Sequence, residues 1–185
     1  MATRTARERW VEAGLDALGR GGVESVRVEV LAARLGVTKG GFYGYFAGRP
    51  QLLAEMLDEW ERRFTADVLA RADAEGGDPA EQLRRAGELS AGEEFHRVDL
   101  AVRTWARFDT TVAERLRRVD TLRMDFLRTR FRAIVADPDE AEARSTLLFA
   151  LAVGRSLMAP DHAGRTHTEA VQQAARFLLR PAGDA

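Results

Sequence analysis

An all-α chain of about nine helices is the fold the sequence predicts, and three observations carry that expectation. Apolar residues recur at i, i+3, i+4 and i+7 in one segment after another, the spacing of a helix face. Glycines and aspartate–proline pairs separate these segments, stopping one helix and starting the next. No run of alternating β-branched residues and no fixed-period repeat occurs along the 185 residues.

The first helix is expected over residues 5–19, with Val11, Gly14, Leu15 and Leu18 on one face and "GRGG" at 19–22 as its stop. A second, over 26–35, aligns Val28, Leu31, Ala32 and Leu35, with Ser25 as its expected N-cap. Gly36 suits the left-handed position after a helix, and Thr38 suits the cap of a short third helix reaching about Tyr45. Arg49-Pro50 opens a fourth, with proline in its first turn. Its wide apolar face holds Leu52, Leu53, Met56, Leu57, Trp60 and Phe64, and "EGGDP" at 75–79 ends it. Asp78 and Pro79 start a fifth helix over about 79–90. A sixth covers 95–107, aligning Val98, Val102 and Trp105, and a seventh covers 110–135. "ADPDE" at 136–140 repeats the cap-and-proline signature and opens an eighth helix running to about Ala159. The ninth covers 166–180 and stops at Pro181.

Composition removes several classes of function. There is no cysteine, which excludes disulfides and thiolate metal sites. His96, His162 and His167 lie far apart with no partner at ligand spacing, so neither a metal nor a cofactor is expected. The start, "MATRTARERW", lacks an apolar signal core, and the longest apolar run, "LLFALAV" at 147–153, falls far short of the roughly 20 residues a membrane span needs. A soluble cytoplasmic protein, off the membrane, is the expectation. Net charge is −1, unevenly placed: residues 1–50 hold eight Arg or Lys against five Asp or Glu. A basic end on a near-neutral chain fits a polyanion-binding module joined to something else.

The segment "VTKGGFYGYF" at 37–46 gives that module a shape. It places three glycines in a short helix, although each interior glycine costs roughly 0.8–1.0 kcal/mol against alanine. Two helices joined by a glycine turn suggest a helix-turn-helix, whose second helix enters the DNA major groove. Glycine lets that helix backbone approach the duplex closely. Lys39, the sole lysine, can meet a phosphate or a guanine edge, and Thr38 with the first amides suits a phosphate oxygen. Phe42 and Phe46 would form the buried face, while Tyr43 and Tyr45 point outward. Arg4, Arg7 and Arg9 form either a minor-groove arm or a solvated terminus.

With "SVRVEVLAARLGV" before it and "GRPQLL" after it, this segment resembles the TetR family of transcriptional regulators over residues 4–60. The resemblance implies a helix-turn-helix DNA-binding domain at 1–50 and a helical ligand-binding and dimerisation domain at 51–185. It also implies DNA contacts at Val28, Glu29, Thr38, Lys39, Gly40, Gly41, Tyr43, Gly44, Tyr45 and Arg49. Gly44 stands where the family often has an aromatic residue, Tyr45 where histidine is common, and Arg49 where lysine is usual. Glu29, at a frequent base-contact position, either accepts from cytosine N4 or is simply solvated.

For the second domain, an apolar pocket with polar anchors is expected from His96, Arg103, Trp105, Arg107, Phe108, Met124, Leu127 and Phe131. Asp99 and Arg103, at i and i+4, equally suit a plain helix-surface pair. The eighth helix is apolar all round between Leu147 and Val153, so it needs partners on more than one side. With the ninth it suggests a homodimer interface built on Leu147, Leu151, Gly154, Met158, Val171, Ala174, Ala175 and Leu178. The resulting expectation is a non-enzymatic homodimeric repressor that binds a near-palindromic operator in double-stranded DNA and is released by a small-molecule effector. The alternatives are a helical dimeric adaptor and a small all-helical enzyme using His96, Asp99 and Arg103 on one helix face.

Overall fold

The computed structural model describes residues 6–158, 160 and 162–180; Arg4 and the helix ends expected at Ala159 and Pro181 lie outside them. Every regular element among the described residues is helical, with one isolated bridge between His162 and Arg165. The order is α1 (Ala6–Gly21), a 3-10 turn (Val23–Ser25), α2 (Val28–Leu35), α3 (Lys39–Phe42) and α4 (Arg49–Glu61). A π-helical turn (Arg62–Ala66) joins α4 to α5 (Asp67–Ala74). Then come α6 (Pro79–Leu89), α7 (Glu93–Ala106), α8 (Thr110–Ile134), α9 (Pro138–Gly154) and α10 (His167–Leu178). Counting α4 through α5 as one run reproduces the nine expected segments.

Two starts differ from the sequence reading. Ser25 does not cap α2: its Oγ donates to the carbonyls of Ala17 and Gly22, tying the 3-10 turn back to α1. The cap position falls to Arg27, with no side-chain bond. α3 is also shorter than expected, ending at Phe42 rather than Tyr45, because its glycines favour helix weakly. Turn bonds from the amides of Tyr43 and Tyr45 to the carbonyls of Gly40 and Phe42 carry the chain onward. Other signals hold. Gly36 sits at φ 69° in the left-handed region, Thr38 accepts from the Gly41 amide, and Asp78 and Glu81 form a reciprocal capping box.

The chain packs as two compact units. The first holds the residues up to Asp67 together with Ala91–Arg117; the second holds Val68–Ser90 and the residues from Arg118 on. The packing unit around the helix-turn-helix therefore reaches past residue 50, taking in α4 and α7.

In the first unit α1 lies against α2, α4 and α7. Gly14 permits the approach to α4, since a Cβ there would fall 2.5 Å from Met56 Sδ. The core comprises Leu15, Leu18, Val26, Leu31, Phe42, Phe46, Leu52, Met56, Trp60, Val98 and Val102, all essentially inaccessible to water. Asp99 is buried beside them and accepts from Trp60 Nε1 at 3.3 Å and from Arg103 Nε at 2.8 Å. The pair expected as a helix-surface contact is thus an internal brace joining α7 to α4.

The second unit has its own core of Ala72, Leu83, Phe126, Phe131, Val135 and Ala141. Arg144 ties α9 to the end of α10 by donating to the Leu178 carbonyl at 3.0 Å. Asp99→Ala, which removes the acceptor for the buried indole N–H and the Arg103 guanidinium, is expected to cost about 1–3 kcal/mol. A lower urea midpoint at unchanged m-value would show it.

Candidate nucleic-acid interface

The turn between α2 and α3 and the segment after it form one exposed surface. Phe42 and Phe46 point inward: their rings stack with centroids 5.1 Å apart, and Trp10 meets Phe42 edge-on at 5.2 Å. That anchoring turns the opposite side outward. Thr38, Lys39, Gly40, Gly41, Tyr43, Gly44 and Tyr45 are all exposed, as is Glu29 on the first turn of α2. The described residues leave this face uncovered. A Cβ added at Gly40 or Gly41 would meet nothing nearer than the Thr38 hydroxyl oxygen at 3.8 Å, so internal packing does not demand these glycines. They keep the surface flat. Beside it lies an open cleft of about 330 Å³, lined by Ala6, Arg9, Trp10, Leu35, Val37, Gly41, Gly44 and Tyr45.

Electrostatically the face is less basic than its sequence. Lys39 Nζ sits 2.6 Å from Glu29 Oε1. The hydrogen bond to Glu29 raises the lysine pKa, and the same bond lowers that of the glutamate. The two residues expected to contact DNA separately therefore contact each other in the free chain.

Two expected contacts are not on this face. The Val28 side chain is buried, because the α2 start turns it into the core. The Arg49 guanidinium donates from Nε to the Val26 carbonyl at 2.7 Å and from a terminal nitrogen to the Val23 carbonyl at 2.6 Å. It braces α4 against the 3-10 turn that leads into α2. Arg7, considered for a minor-groove arm, is held inward. Its Nε donates to Glu55 at 2.8 Å, another nitrogen donates to the Tyr45 carbonyl, and the guanidinium lies over the Phe46 ring. None of these braces was read from the sequence, since each joins residues 23 to 48 positions apart. The only available signal was an arginine on an otherwise apolar helix face.

Of the residues expected to line a pocket, His96, Arg103, Trp105, Arg107 and Phe108 fall in the first unit and Met124, Leu127 and Phe131 in the second. Arg103 is engaged by Asp99, and Phe108 is exposed at the turn after α7. Phe131 is fully buried in the second unit's core, with Leu127 packed against the same cluster. Among the expected dimer residues, Leu147, Met158 and Ala174 are exposed, while Leu151, Gly154, Val171, Ala175 and Leu178 are half-buried. Leu157 and Phe177 extend the same exposed apolar character.

Comparison with known proteins bears on this face. Residues 11–56 match the family model described as bacterial regulatory proteins, tetR family. No curated protein matches the chain. A transcriptional regulator from Rhodococcus sp. Rha1 is similar over 95% of this chain and 94% of its own, at 25% identity and a TM-score of 0.75. A TetR-like regulator from Rhodococcus sp. RHA1 shares the fold at 19% identity and a TM-score of 0.69, over 97% and 94%. AibR, solved with isovaleryl coenzyme A and operator DNA, shares it at 17% and 0.70, over 95% and 98%. The matched segment spans α1 to α4, the elements that hold Phe42 and Phe46 inward and the glycine face outward, so over residues 11–56 this chain is similar to the DNA-binding segment of the tetR family.

Proposed function

We propose that this chain is a cytoplasmic repressor that binds a near-palindromic operator as a homodimer and leaves it when a small-molecule effector binds the C-terminal domain. The observation that carries the reading is the uncovered face of Thr38, Lys39, Gly40, Gly41, Tyr43, Gly44 and Tyr45, held out by two buried phenylalanines. Hydroxyls of Thr38, Tyr43 and Tyr45 suit phosphate oxygens, and the glycines allow the backbone to come close. Dimerisation is supported by the apolar surface that α9 and the residues around α10 leave open, with Leu147, Leu157 and Phe177 each more than half exposed. Effector control is supported by relatives: AibR was solved with both isovaleryl coenzyme A and operator DNA, and EbrR was solved with imidazole. In a population-shift mechanism the effector favours a conformer whose recognition segments do not fit successive half-sites. No described helix is long and apolar enough to cross a membrane.

Fluorescence anisotropy with duplexes tiling the chain's own promoter tests DNA binding directly. One duplex should bind tightly and lose affinity as salt rises; uniform, weak binding to all of them would sink the reading. Lys39→Ala should weaken binding to that duplex by about fivefold or more. Tyr43→Phe should weaken it less. Arg49→Ala should lower stability by about 1–2 kcal/mol while leaving the salt slope unchanged, since its guanidinium serves backbone carbonyls. Leu147→Glu combined with Phe177→Glu should convert a dimer to a monomer of unchanged helicity in sedimentation. A dimer surviving both would place the interface elsewhere.

A further inference from the structure

We infer that Glu29 and Lys39 read the operator as a single unit, with Glu29 setting a preference for one C·G base pair in each half-site. The inference rests on the DNA-binding reading above and adds a base to it. The observation is the ion pair itself: a carboxylate on α2 and the chain's sole lysine on α3, 2.6 Å apart, both more than half exposed. No fold requirement explains it. Both side chains are more than half exposed, and an exposed pair of this kind contributes little to stability.

On a polyanion a carboxylate is repelled unless it finds a donor, and the donors exposed in the major groove are cytosine N4 and adenine N6. Within a C·G pair, cytosine N4 and guanine O6 are partners in a hydrogen bond and so lie about 2.9 Å apart. N4 keeps a second hydrogen facing the groove, and O6 with N7 accepts. A carboxylate and an ammonium held at a similar separation match those groups: Glu29 over cytosine N4, Lys39 over guanine O6 and N7. The opposite orientation places acceptors under the carboxylate and the donor under the ammonium, so G·C and T·A are rejected by charge. A·T offers N6 and O4 in the right order but sets the thymine methyl where Lys39 would find N7. C·G is the pair that satisfies both side chains.

The test is binding-site selection from randomised duplexes with the full chain as wild type, Glu29→Gln and Lys39→Gln, each checked for fold by circular dichroism. The wild type should enrich a two-fold-related site with C·G at one position per half. Glu29→Gln should retain the other positions and lose that preference by about fivefold or more. It should also bind unrelated DNA more tightly, since Lys39 is released. Lys39→Gln should relax the same position. An unchanged selection in Glu29→Gln, or relaxation at different positions in the two variants, overturns the inference and leaves DNA binding intact. A folded Glu29→Gln that enriches no site also overturns it, because the carboxylate would then be holding the segment rather than reading a base. A wild type that enriches nothing removes the DNA-binding reading and the inference together.

Discussion

Phe42, packed edge-on against Trp10 and stacked on Phe46, is the contact on which the recognition surface depends. Its helix is four residues long and contains two glycines, so it has no stability of its own. Two interior glycines cost roughly 0.8–1.0 kcal/mol each. Burying two phenylalanines returns roughly 1.5–3 kcal/mol each, and aromatic pairing adds about 0.5–1.5 kcal/mol. Packing wins, and it wins only in one orientation. The same rings that hold the segment in place determine which side of it faces out. An exposed face flat enough for close approach is therefore a consequence of the core beneath it.

Around that anchor, charge is organised to hold helices rather than to advertise a binding site. Arg7 is shared by Glu55, the Tyr45 carbonyl and the Phe46 ring. Arg20 and Arg34 both pair with Asp16, and Arg49 serves two carbonyls. The surplus of basic residues over 1–50 thus overstates the cation density of the surface. Counting charges along a chain measures composition, whereas binding depends on which of them remain directed at solvent.

The sequence reading succeeded where the physics is local. Gly36, Thr38, Asp78, Pro79 and Pro138 act within one turn of themselves, and they mark helix ends at the expected places. The buried Phe42 and Phe46 and the exposed Tyr43 and Tyr45 follow from helical spacing across a single segment. It failed where a side chain reaches across the fold. Arg49 looks like a phosphate ligand until Val23 and Val26 are brought under it, and Ser25 looks like a cap until α1 returns beside it. Val28 shows the same limit: its i+3 partner Leu31 argued for the core, while the family position argued for DNA, and packing settled its side chain in favour of the core. The pocket residues were the least readable, because apolar helices of a divergent domain carry no spacing that separates lining from filling. Phe131 is filling.

Under the proposed function, the modest charge of the recognition face and the apolar surface of the last two helices depend on each other. One copy offers glycines, three hydroxyls and a lysine already paired, which gives it little electrostatic grip on DNA. Joining two copies converts the second contact into an intramolecular one and multiplies affinity without any new residue. A face that binds weakly alone and well in pairs also responds strongly to spacing, because misplacing one half forfeits the whole gain. A small change in the distance between two recognition segments is then enough for release. Such a regulator has no need of a strongly basic surface, and such a surface would hold it on DNA after its effector had bound.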